Sequence, residues 1–354
     1  MNLKHNNLLS ICCLGYNHAS FLQENLESIC KIGYENIEII VVDDGSKDNS
    51  VEILNQLKNK IPYRIEIIAQ QNTGNIGKNF NNALKAANGN LITFIALDDV
   101  FNPKVVSSEI NEMNTNPKLA FIASSKAVYI DDKGMIEDDR LELSLHIENS
   151  PSIKDLLELE YSKFGAFYIQ GSIFRKDIID TIGGFDEDMT GDDIVLRTKV
   201  FNFMLNNTGL EFKIIRENNV FYRMHGNNIH KNSARQIKIV TEYLEKYWPD
   251  RPNPAILIDW MNYTISKCTF EEYMPVFALN KRAASLLNDK KIQDKIKSSV
   301  IKNRETFIQK AIFNKQKIDS TKSQITLFGF IKFSYSRKKN KKPDTTKIHY
   351  SQYN

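Results

Sequence analysis

Residues 91–100 read LITFIALDDV, an apolar run that ends abruptly in two adjacent carboxylates, Asp98 and Asp99. A continuous apolar run of this length is typical of a strand that is packed on both faces, as the strands of parallel sheets are. We therefore predict a buried strand over residues 91–97. The paired acids mark the point at which that strand leaves the core and meets solvent or a ligand.

The same alternation of short apolar runs and amphipathic segments extends over residues 8–130. Apolar runs occupy residues 8–16, 37–46, 63–70 and 91–97, and helical spacing occurs over 20–31, 49–60 and 79–88. Strands separated by helices of about ten residues predict right-handed βαβ units. The expected fold class is therefore α/β, with a mostly parallel sheet flanked by helices and a mainly helical C-terminal region.

Polar residues follow each predicted strand at its carboxyl end, where ligands bind in open parallel sheets. These residues are Tyr16 and Asn17, Asp43 and Asp44, the segment 74–79, and Asp98 and Asp99. We expect the four strand ends to meet at one crevice, which is the predicted functional site.

The two acidic pairs indicate a divalent cation. Like charges a few ångströms apart oppose each other's ionisation, and a cation held by carboxylate, phosphate and water oxygens relieves that repulsion. Asp44-Gly45-Ser46 also suits a simple turn before a helix, so one pair alone leaves both interpretations open. Two pairs at neighbouring strand ends favour a Mn²⁺ or Mg²⁺ site. The loop over residues 70–82 adds glycines and Lys78 before a helix, a pattern suited to an anion, although it lacks the spacing of a P-loop.

Charge is divided unevenly along the chain. Residues 281–354 carry 19 Lys and Arg against 5 Asp and Glu, whereas residues 1–280 carry 28 against 38. A basic tail on an acidic body predicts contact with an anionic surface, either lipid headgroups or nucleic acid, unless the tail serves solubility alone. The acidic body shows none of the usual nucleic-acid-binding modules, so we expect no nucleic-acid partner.

Cysteine usage and hydropathy bear on the compartment. Cys12, Cys13, Cys30 and Cys268 form no CxxC pair, and a chain of 354 residues has no need of disulfides for its stability. The start of the chain is similar to a first strand rather than to a signal peptide, and no apolar run approaches the roughly 18 residues that span a bilayer. We expect a cytoplasmic protein, peripheral at the inner face of the cell membrane.

Five segments taken together resemble family 2 glycosyltransferases of the GT-A fold, a Rossmann-like architecture. They are SICCLGYNHASFLQENLESI (10–29), IEIIVVDDGSKDNS (37–50), QNTGNIGKNFNNALKAANGNLITFIALDDVFNPKVV (71–106), IGGFDEDMTGDDIVLRTKVF (182–201) and FYRMHGNNIH (221–230). Each motif alone is weak, but their order and spacing are specific. The resemblance covers roughly residues 8–235 and does not reach the tail.

The resemblance implies a nucleotide site at the predicted crevice. Tyr16 would lie against the base beside Asn17, Asp44 would bond the polar edge of the base, and Lys78 or Arg223 would face the leaving diphosphate. Asp98 and Asp99 stand at the family's Asp-x-Asp-type motif, although Ala96 replaces its first acid. Asp99 is the first choice for the metal, with Asp98 assigned to the ribose or to a shared role. His225 matches a histidine near the diphosphate and the metal, whereas His18 is interpreted as an ordinary polar residue.

The resemblance also implies an inverting mechanism. Asp193 would be the general base that deprotonates the acceptor hydroxyl, with Asp192 as the alternative; an acid-rich helix start is the competing structural interpretation. The implied activity is sugar transfer from a nucleoside diphosphate to a glycan or lipid-linked acceptor in surface polysaccharide or glycan synthesis. A UDP-sugar is the family's default donor, and a dTDP-sugar is the alternative. A non-catalytic scaffold of the same fold and a nucleotidyltransferase are the alternatives.

The expected domain organisation follows from these patterns. Residues 1–235 form the transferase domain, with a nucleotide half over 1–130 and an acceptor half over 131–235. Residues 236–324 form a helical region. Residues 325–354 form a tail in which aromatic residues adjoin a basic cluster, a composition suited to the surface of an anionic membrane.

Overall fold

The computed structural model describes residues 7–138, 151–226 and 232–300, together with three strands between residues 313 and 336. The strands are β1 (Leu9–Gly15), β2 (Ile37–Asp43), β3 (Arg64–Ala69), β4 (Leu91–Ala96), β5 (Val100–Phe101), β6 (Leu119–Ser124), β7 (Val128–Ile130), β8 (Ile136–Asp138), β9 (Ile173–Arg175), β10 (Glu211–Ile215), β11 (Val220–Arg223), β12 (Phe313–Lys317), β13 (Lys322–Leu327) and β14 (Ile331–Ser336). The helices are α1 (Leu22–Cys30), α2 (Ser50–Lys58), α3 (Ile76–Ala86), α4 (Pro103–Thr115), α5 (Ile153–Ser162), α6 (Lys176–Thr181), α7 (Asp193–Asn206), α8 (Ser233–Tyr247), α9 (Ala255–Lys267), α10 (Phe270–Leu279) and α11 (Lys281–Leu286). Residues 290–300 are also helical.

The larger sheet has seven strands in the order β10-β6-β9-β4-β1-β2-β3. Strands β1 to β4 run parallel in the βαβ arrangement that the sequence predicts, and only β9 runs antiparallel to its neighbours β4 and β6. The predicted α/β class and the mostly parallel sheet are confirmed. β9 joins the sheet from a distant part of the chain, so its three residues give no periodic signal of their own.

The register aligns the carboxyl ends of the four predicted strands. Gly15 pairs with Asp43, Leu14 with Ala96, and Asp43 with Ala69. The loops that follow β1, β2, β3 and β4 therefore leave the sheet along one edge.

A second, four-stranded sheet has the order β5-β11-β7-β8. β11 pairs antiparallel with β5, so that Val220 lies opposite Phe101, and it pairs parallel with β7. Since β5 directly follows Asp99, this pairing brings the end of β11 to the end of β4. The sequence analysis does not predict this sheet, because its strands have two to four residues.

The core lies on both faces of the larger sheet. Cys12 and Cys13 are fully buried on opposite faces of β1, in two separate apolar clusters. Burial raises the pKa of both thiols above the usual range, as expected for cysteines that serve as small core residues.

A third apolar cluster joins the start of α7 to the helices that follow residue 232. Its largest fully buried members are Tyr243, Tyr273 and Phe277. The helical C-terminal region predicted from the sequence is confirmed for residues 233–300. No helix in the described part of the chain combines the length and the apolarity that a bilayer span requires.

Beyond residue 312 the backbone forms a three-stranded antiparallel sheet in the order β12-β13-β14. The sequence predicts a helical region as far as residue 324, and this is wrong at its end, because β12 and the start of β13 lie within that range. Phe328, Phe330 and the basic cluster from Arg337 onward lie outside the described residues. The proposed membrane role of residues 325–354 therefore remains a prediction.

Candidate functional site

The loops that follow β1 and β2 are joined by hydrogen bonds. Asn17 adopts a left-handed backbone with a φ of 58°. Its backbone N–H donates to Ser46 Oγ at 2.8 Å, and its side-chain oxygen accepts from the Lys47 backbone N–H at 2.7 Å. Tyr16 lies beside this contact with 42% of its surface exposed. The loop is thus held in shape while Tyr16 faces solvent at the sheet edge.

Asp44 organises the loop that follows β3. Its carboxylate accepts from the Thr73 backbone N–H at 2.8 Å, from the Gly74 backbone N–H at 3.2 Å and from Gln70 Nε2 at 3.1 Å. Asn75 caps α3 through a bond from the Lys78 backbone N–H at 2.9 Å, which explains why the helix begins before the predicted residue 79. The Lys78 side chain is exposed in the first turn of that helix.

Asp98 lies with two histidines from different loops. Its Oδ2 is 2.9 Å from His225 Nε2, and its Oδ1 is 3.7 Å from His18 Nδ1. One ligand atom from each of the three residues lies within 4.8 Å of the others. Burial lowers the pKa of His18 and so favours its neutral, metal-binding form. His18, interpreted from the sequence as an ordinary polar residue, lies in this group, and its position two residues after Tyr16 is the signal that places it at the same strand end.

Asp99 faces away from this group. Asp99 is buried, and its carboxylate accepts from the Arg223 backbone N–H at 2.8 Å. Burial, with Asp98 as a second cause, raises the pKa of Asp99 well above the usual range. The geometry therefore favours Asp98 over Asp99 as the partner of His225, which reverses the preference drawn from the motif.

Arg223 is an interior residue. Its side chain is fully buried and donates to the Asp98 carbonyl at 2.7 Å, to the Asp131 carbonyl at 2.9 Å and to Glu24 Oε2 at 2.5 Å. Since these bonds hold β11 against the end of β4, Arg223 is poorly placed to meet a leaving diphosphate. Of the two suggested cations, Lys78 is the exposed one.

The segment 168–170 connects the end of β4 to the start of α7. Gln170 Oε1 accepts from the Ala96 backbone N–H at 2.8 Å, and the Ile169 backbone N–H donates to Asp193 Oδ2 at 3.3 Å. Residues 168–170 therefore lie in space between the acidic end of β4 and Asp193, the first residue of α7.

Three tyrosines lie along this connection. The rings of Tyr168 and Tyr222 are stacked with centroids 5.7 Å apart, and Tyr129 contacts both. Burial raises the pKa of Tyr168 and Tyr222, and the nearby carboxylate of Asp99 adds to the rise for each. The cluster forms an aromatic surface next to the acids.

Asp193 is the accessible carboxylate of the pair at the start of α7. Its side chain is 30% exposed, and its Oδ2 is 3.4 Å from Arg197 Nη1. Arg197 is buried and donates from Nε to Glu160 Oε1 at 2.6 Å. This buried pair is not predictable from the sequence: Arg197 is one helical turn from Asp193, but no local pattern links either residue to Glu160 on α5.

The other acid of the pair is Asp192. Although the residue keeps partial access to solvent, its carboxyl group is packed beside Asp193, and burial followed by that neighbouring charge raises its pKa to about 8. The raised pKa favours the protonated form of Asp192. The geometry favours Asp193 as the carboxylate that can accept a proton there.

The Asp98 group fits a divalent cation. Asp98 Oδ1 and His18 Nδ1 are both buried and have no hydrogen-bond partner among the described residues. A carboxylate oxygen and imidazole nitrogens are common ligands of divalent cations. The three residues leave the ends of β1, β4 and β11, so a bound ion would connect both sheets.

Comparison with known proteins assigns the family. Residues 10–183 match the family model for glycosyl transferase family 2. This segment of the chain belongs to glycosyl transferase family 2. An uncharacterized glycosyltransferase of Nostoc is 24% identical over 233 residues, which are 64% of this chain and 67% of that protein. The minor teichoic acid biosynthesis protein GgaA of Bacillus subtilis is 27% identical over 186 residues, 51% of this chain and 40% of GgaA.

Solved structures share the fold. The first 349 residues of Staphylococcus aureus TarS, in complex with UDP-GlcNAc, superpose with a TM-score of 0.54 and 15% identity, over 90% of this chain and 97% of that one. The mannosyltransferase PcManGT of Pyrobaculum calidifontis, in complex with GDP-Man and Mn²⁺, gives a TM-score of 0.50 and 16% identity, over 84% and 87% of the two chains. The predicted GT-A fold is confirmed, and the chain is a glycosyltransferase related to enzymes of teichoic acid and glycan biosynthesis.

Proposed function

We propose that this glycosyltransferase moves a sugar from a UDP-sugar to a hydroxyl of a glycan or lipid-linked acceptor, with inversion at the anomeric carbon, in surface polysaccharide synthesis. The observation that carries the proposal is the position of Asp193. In space, only the segment 168–170 lies between its carboxylate and the acidic end of β4 among the contacts described above. The UDP-GlcNAc bound to TarS and the teichoic acid role in the name of GgaA support the choices of donor and product.

The nucleotide half of the site comprises the ends of β1 to β4. Exposed Tyr16 offers an aromatic face to the base, and Asn17 holds the loop in which Tyr16 lies. Asp44 keeps the loop after β3 in place, and exposed Lys78 supplies positive charge for the diphosphate. In this proposal Asp44 contacts the base through oxygen lone pairs that its loop bonds leave available.

Asp98 and His225 are the proposed ligands of Mn²⁺ or Mg²⁺, with Asp99 anchoring the strand behind them. The ion bound to PcManGT supports this use of metal. A divalent ion at this place would neutralise negative charge that develops on the departing diphosphate. Asp98 and His225 would hold the ion at the position where the negative charge of the diphosphate develops.

Asp193 is the proposed general base. The acceptor oxygen attacks the anomeric carbon while the bond from that carbon to the diphosphate oxygen breaks, and the hydroxyl proton passes to the Asp193 carboxylate. Arg197 and the Ile169 N–H hold the carboxylate in one orientation, leaving its other oxygen for the acceptor. The tyrosines at 129, 168 and 222 provide an aromatic surface for the sugar rings.

The basic tail is proposed to bring the enzyme to an acceptor in an anionic membrane. Each basic residue near such a surface contributes about 1 kcal/mol. Replacing Arg337, Lys338, Lys339, Lys341 and Lys342 by Gln should abolish sedimentation with anionic vesicles at low salt and leave transfer to a soluble acceptor unchanged. Equal sedimentation of both proteins would contradict this membrane role.

The transfer reaction is tested with Asp193→Asn and a matched control, Asp188→Asn, an exposed acid in the preceding loop that pairs with Lys246 at 2.8 Å. Nucleotide sugars are first screened by thermal shift with and without Mn²⁺, and turnover is then measured with the donor that stabilises the protein. We expect Asp193→Asn to lower kcat by about 10²- to 10⁴-fold and Asp188→Asn to leave it unchanged. Full turnover by Asp193→Asn would overturn the base, a product that retains the donor's anomeric configuration would overturn inversion, and indifference to every nucleotide would overturn the proposal.

A further inference from the structure

The starting observation is the pair of buried atoms that face each other across 3.7 Å, His18 Nδ1 and Asp98 Oδ1. Neither atom has a hydrogen-bond partner among the residues that the structure describes. Burying polar atoms without partners is unfavourable, and buried polar atoms in folded proteins are nearly always satisfied. An ion at this place would satisfy both atoms at once.

The distances suit a shared ion. Donor atoms that bind one ion at about 2.1 Å lie roughly 3.0 to 3.4 Å apart in octahedral and tetrahedral geometry. The separations are 3.7 Å from His18 Nδ1 to Asp98 Oδ1 and 2.9 Å from His225 Nε2 to Asp98 Oδ2, on either side of that range, and one donor atom of each residue lies within 4.8 Å of the other two. Small side-chain rotations would therefore bring all three donors to one ion.

The His18 ring is held in place by its surroundings. The backbone that carries the ring is fixed by two hydrogen bonds. The His18 N–H donates to Ser50 Oγ at 3.1 Å, and the Ala19 N–H donates to Asp48 Oδ2 at 3.1 Å. The ring packs edge-on against Phe21 and against His225, and Phe21 stacks on His225 at 5.2 Å. Both imidazoles are thus oriented by the fold without needing an ion to fix them.

We propose that His18 is a third protein ligand of the metal, beside Asp98 and His225, and that it makes the site prefer Mn²⁺ and similar transition-metal ions to Mg²⁺. Imidazole suits transition metals, whereas Mg²⁺ demands hard oxygen ligands. A ligand set with two imidazoles and one carboxylate therefore disfavours Mg²⁺ more than a set with one imidazole does. The proposal rests on the metal use described under the proposed function and adds the ligand and the preference.

The experiment uses Mn²⁺ as the probe and compares the wild type with His18→Phe. Phenylalanine keeps a ring for packing against Phe21 and removes both nitrogens. Gln23→Ala is the control, because Gln23 is an exposed residue of α1 whose side chain donates to Glu27 at 2.9 Å. Mn²⁺ and Mg²⁺ affinities are measured by EPR titration and by competition, with and without UDP, and circular dichroism establishes that each variant is folded.

We expect Mn²⁺ affinity to fall by about tenfold or more in His18→Phe, Mg²⁺ affinity to change less, and Gln23→Ala to match the wild type. Pulsed EPR of the Mn²⁺-loaded wild type should show couplings to two histidine nitrogens, and the variant should show one. If His18→Phe does not fold, His18→Asn takes its place, because Asn is smaller and polar. Its pulsed EPR spectrum should likewise show coupling to one histidine nitrogen.

Each outcome separates this inference from the proposed function. Two nitrogen couplings in a folded His18 variant, or an unchanged Mn²⁺ to Mg²⁺ preference, overturn His18 as a ligand and leave the transferase and its Asp98–His225 site intact. Absence of Mn²⁺ binding by the wild type, with and without UDP, overturns the whole metal site. Sugar transfer that persists in excess chelator would then show that the transfer proposal survives without it.

Discussion

Arg197 donates from Nη1 to Oδ2 of Asp193, one helical turn away, across 3.4 Å. The opposite side of the guanidinium is paired with Glu160, which is fully buried on α5. The candidate base, Asp193, is therefore held by the Arg197 guanidinium, whose position is fixed by its buried pair with Glu160. This chain of contacts spans α5 and α7, so the position of Asp193 depends on how those two helices pack.

Replacing Glu160 by Gln should destabilise the protein by about 3 kcal/mol, because the buried Arg197 charge loses its main partner. The free energy of unfolding from urea denaturation measures the effect. Glu158→Gln is the control on the same helix, where the carboxylate is exposed and pairs with Arg251 at 2.7 Å. We expect the control to lie within about 0.5 kcal/mol of the wild type; equal stability of all three proteins would show that the buried pair contributes nothing.

Asp192→Asn should resemble the wild type in turnover at neutral pH, because Asn imitates the protonated acid that a pKa of about 8 implies. The same pKa predicts a pH dependence of stability. A carboxyl group whose folded pKa is raised favours the folded state at low pH, and that contribution is lost as pH rises from about 4 towards 8.

The free energy of unfolding is therefore measured at pH 5, 6.5 and 8 for both proteins. Wild-type stability should fall relative to Asp192→Asn across this window and level off above it. A constant difference between the two proteins would mean that Asp192 is already ionised, which would return it to the role of a competing base.

Replacing Asp98 or Asp99 by Asn should have different effects on Mn²⁺ binding. Asp99 accepts a hydrogen bond from the Arg223 backbone, and the amide oxygen of Asn can accept the same bond, so Asn should preserve both stability and Mn²⁺ binding. Asp98→Asn should fold but lose Mn²⁺ binding, because it removes the charge that faces both histidines.

Isothermal titration with Mn²⁺ in the presence of UDP provides the measurement for the two acids. Asp99→Ala gives a further comparison: it removes the carboxylate that accepts from the buried Arg223 N–H and should lower stability by about 1 to 3 kcal/mol. Loss of Mn²⁺ binding in Asp99→Asn with retention in Asp98→Asn would restore the roles that the motif implies.

Gly45→Ala should weaken UDP binding and lower stability. Gly45 has a φ of 77°, and an added Cβ would lie 2.7 Å from the Asn72 backbone nitrogen, in the loop that Asp44 holds. Gly33→Ala is a matched control, because Gly33 has a φ of 70° but no atom within 4 Å of an added Cβ. Both variants bear the cost of a left-handed alanine, about 1 kcal/mol, and only Gly45→Ala also displaces the loop. Equal UDP affinity in the two variants would show that this loop does not shape the nucleotide site.

The sequence by itself determined the core of this protein and the edge at which it acts. LITFIALDDV and the three earlier apolar runs each predict a strand from their own residues. Each run has the length of a strand and ends in polar residues, so no distant contact is needed to recognise it. The positions of Tyr16, Asp44 and Asp98 at that edge follow from the parallel register. The acids at 192 and 193 were recognised through their motif, since a helix start rich in acid is ambiguous by itself.

Only the tertiary structure decided how the polar groups divide their roles. Asp98 and Asp99 are adjacent in sequence, yet one faces two histidines and the other faces the backbone of β11. That difference arises because β11, over 120 residues away, pairs with the two-residue strand β5. The contacts of Glu160 with Arg197 and of His18 with Asp98 likewise join distant segments. Such contacts are set by helix packing and strand pairing, which local periodicity does not encode.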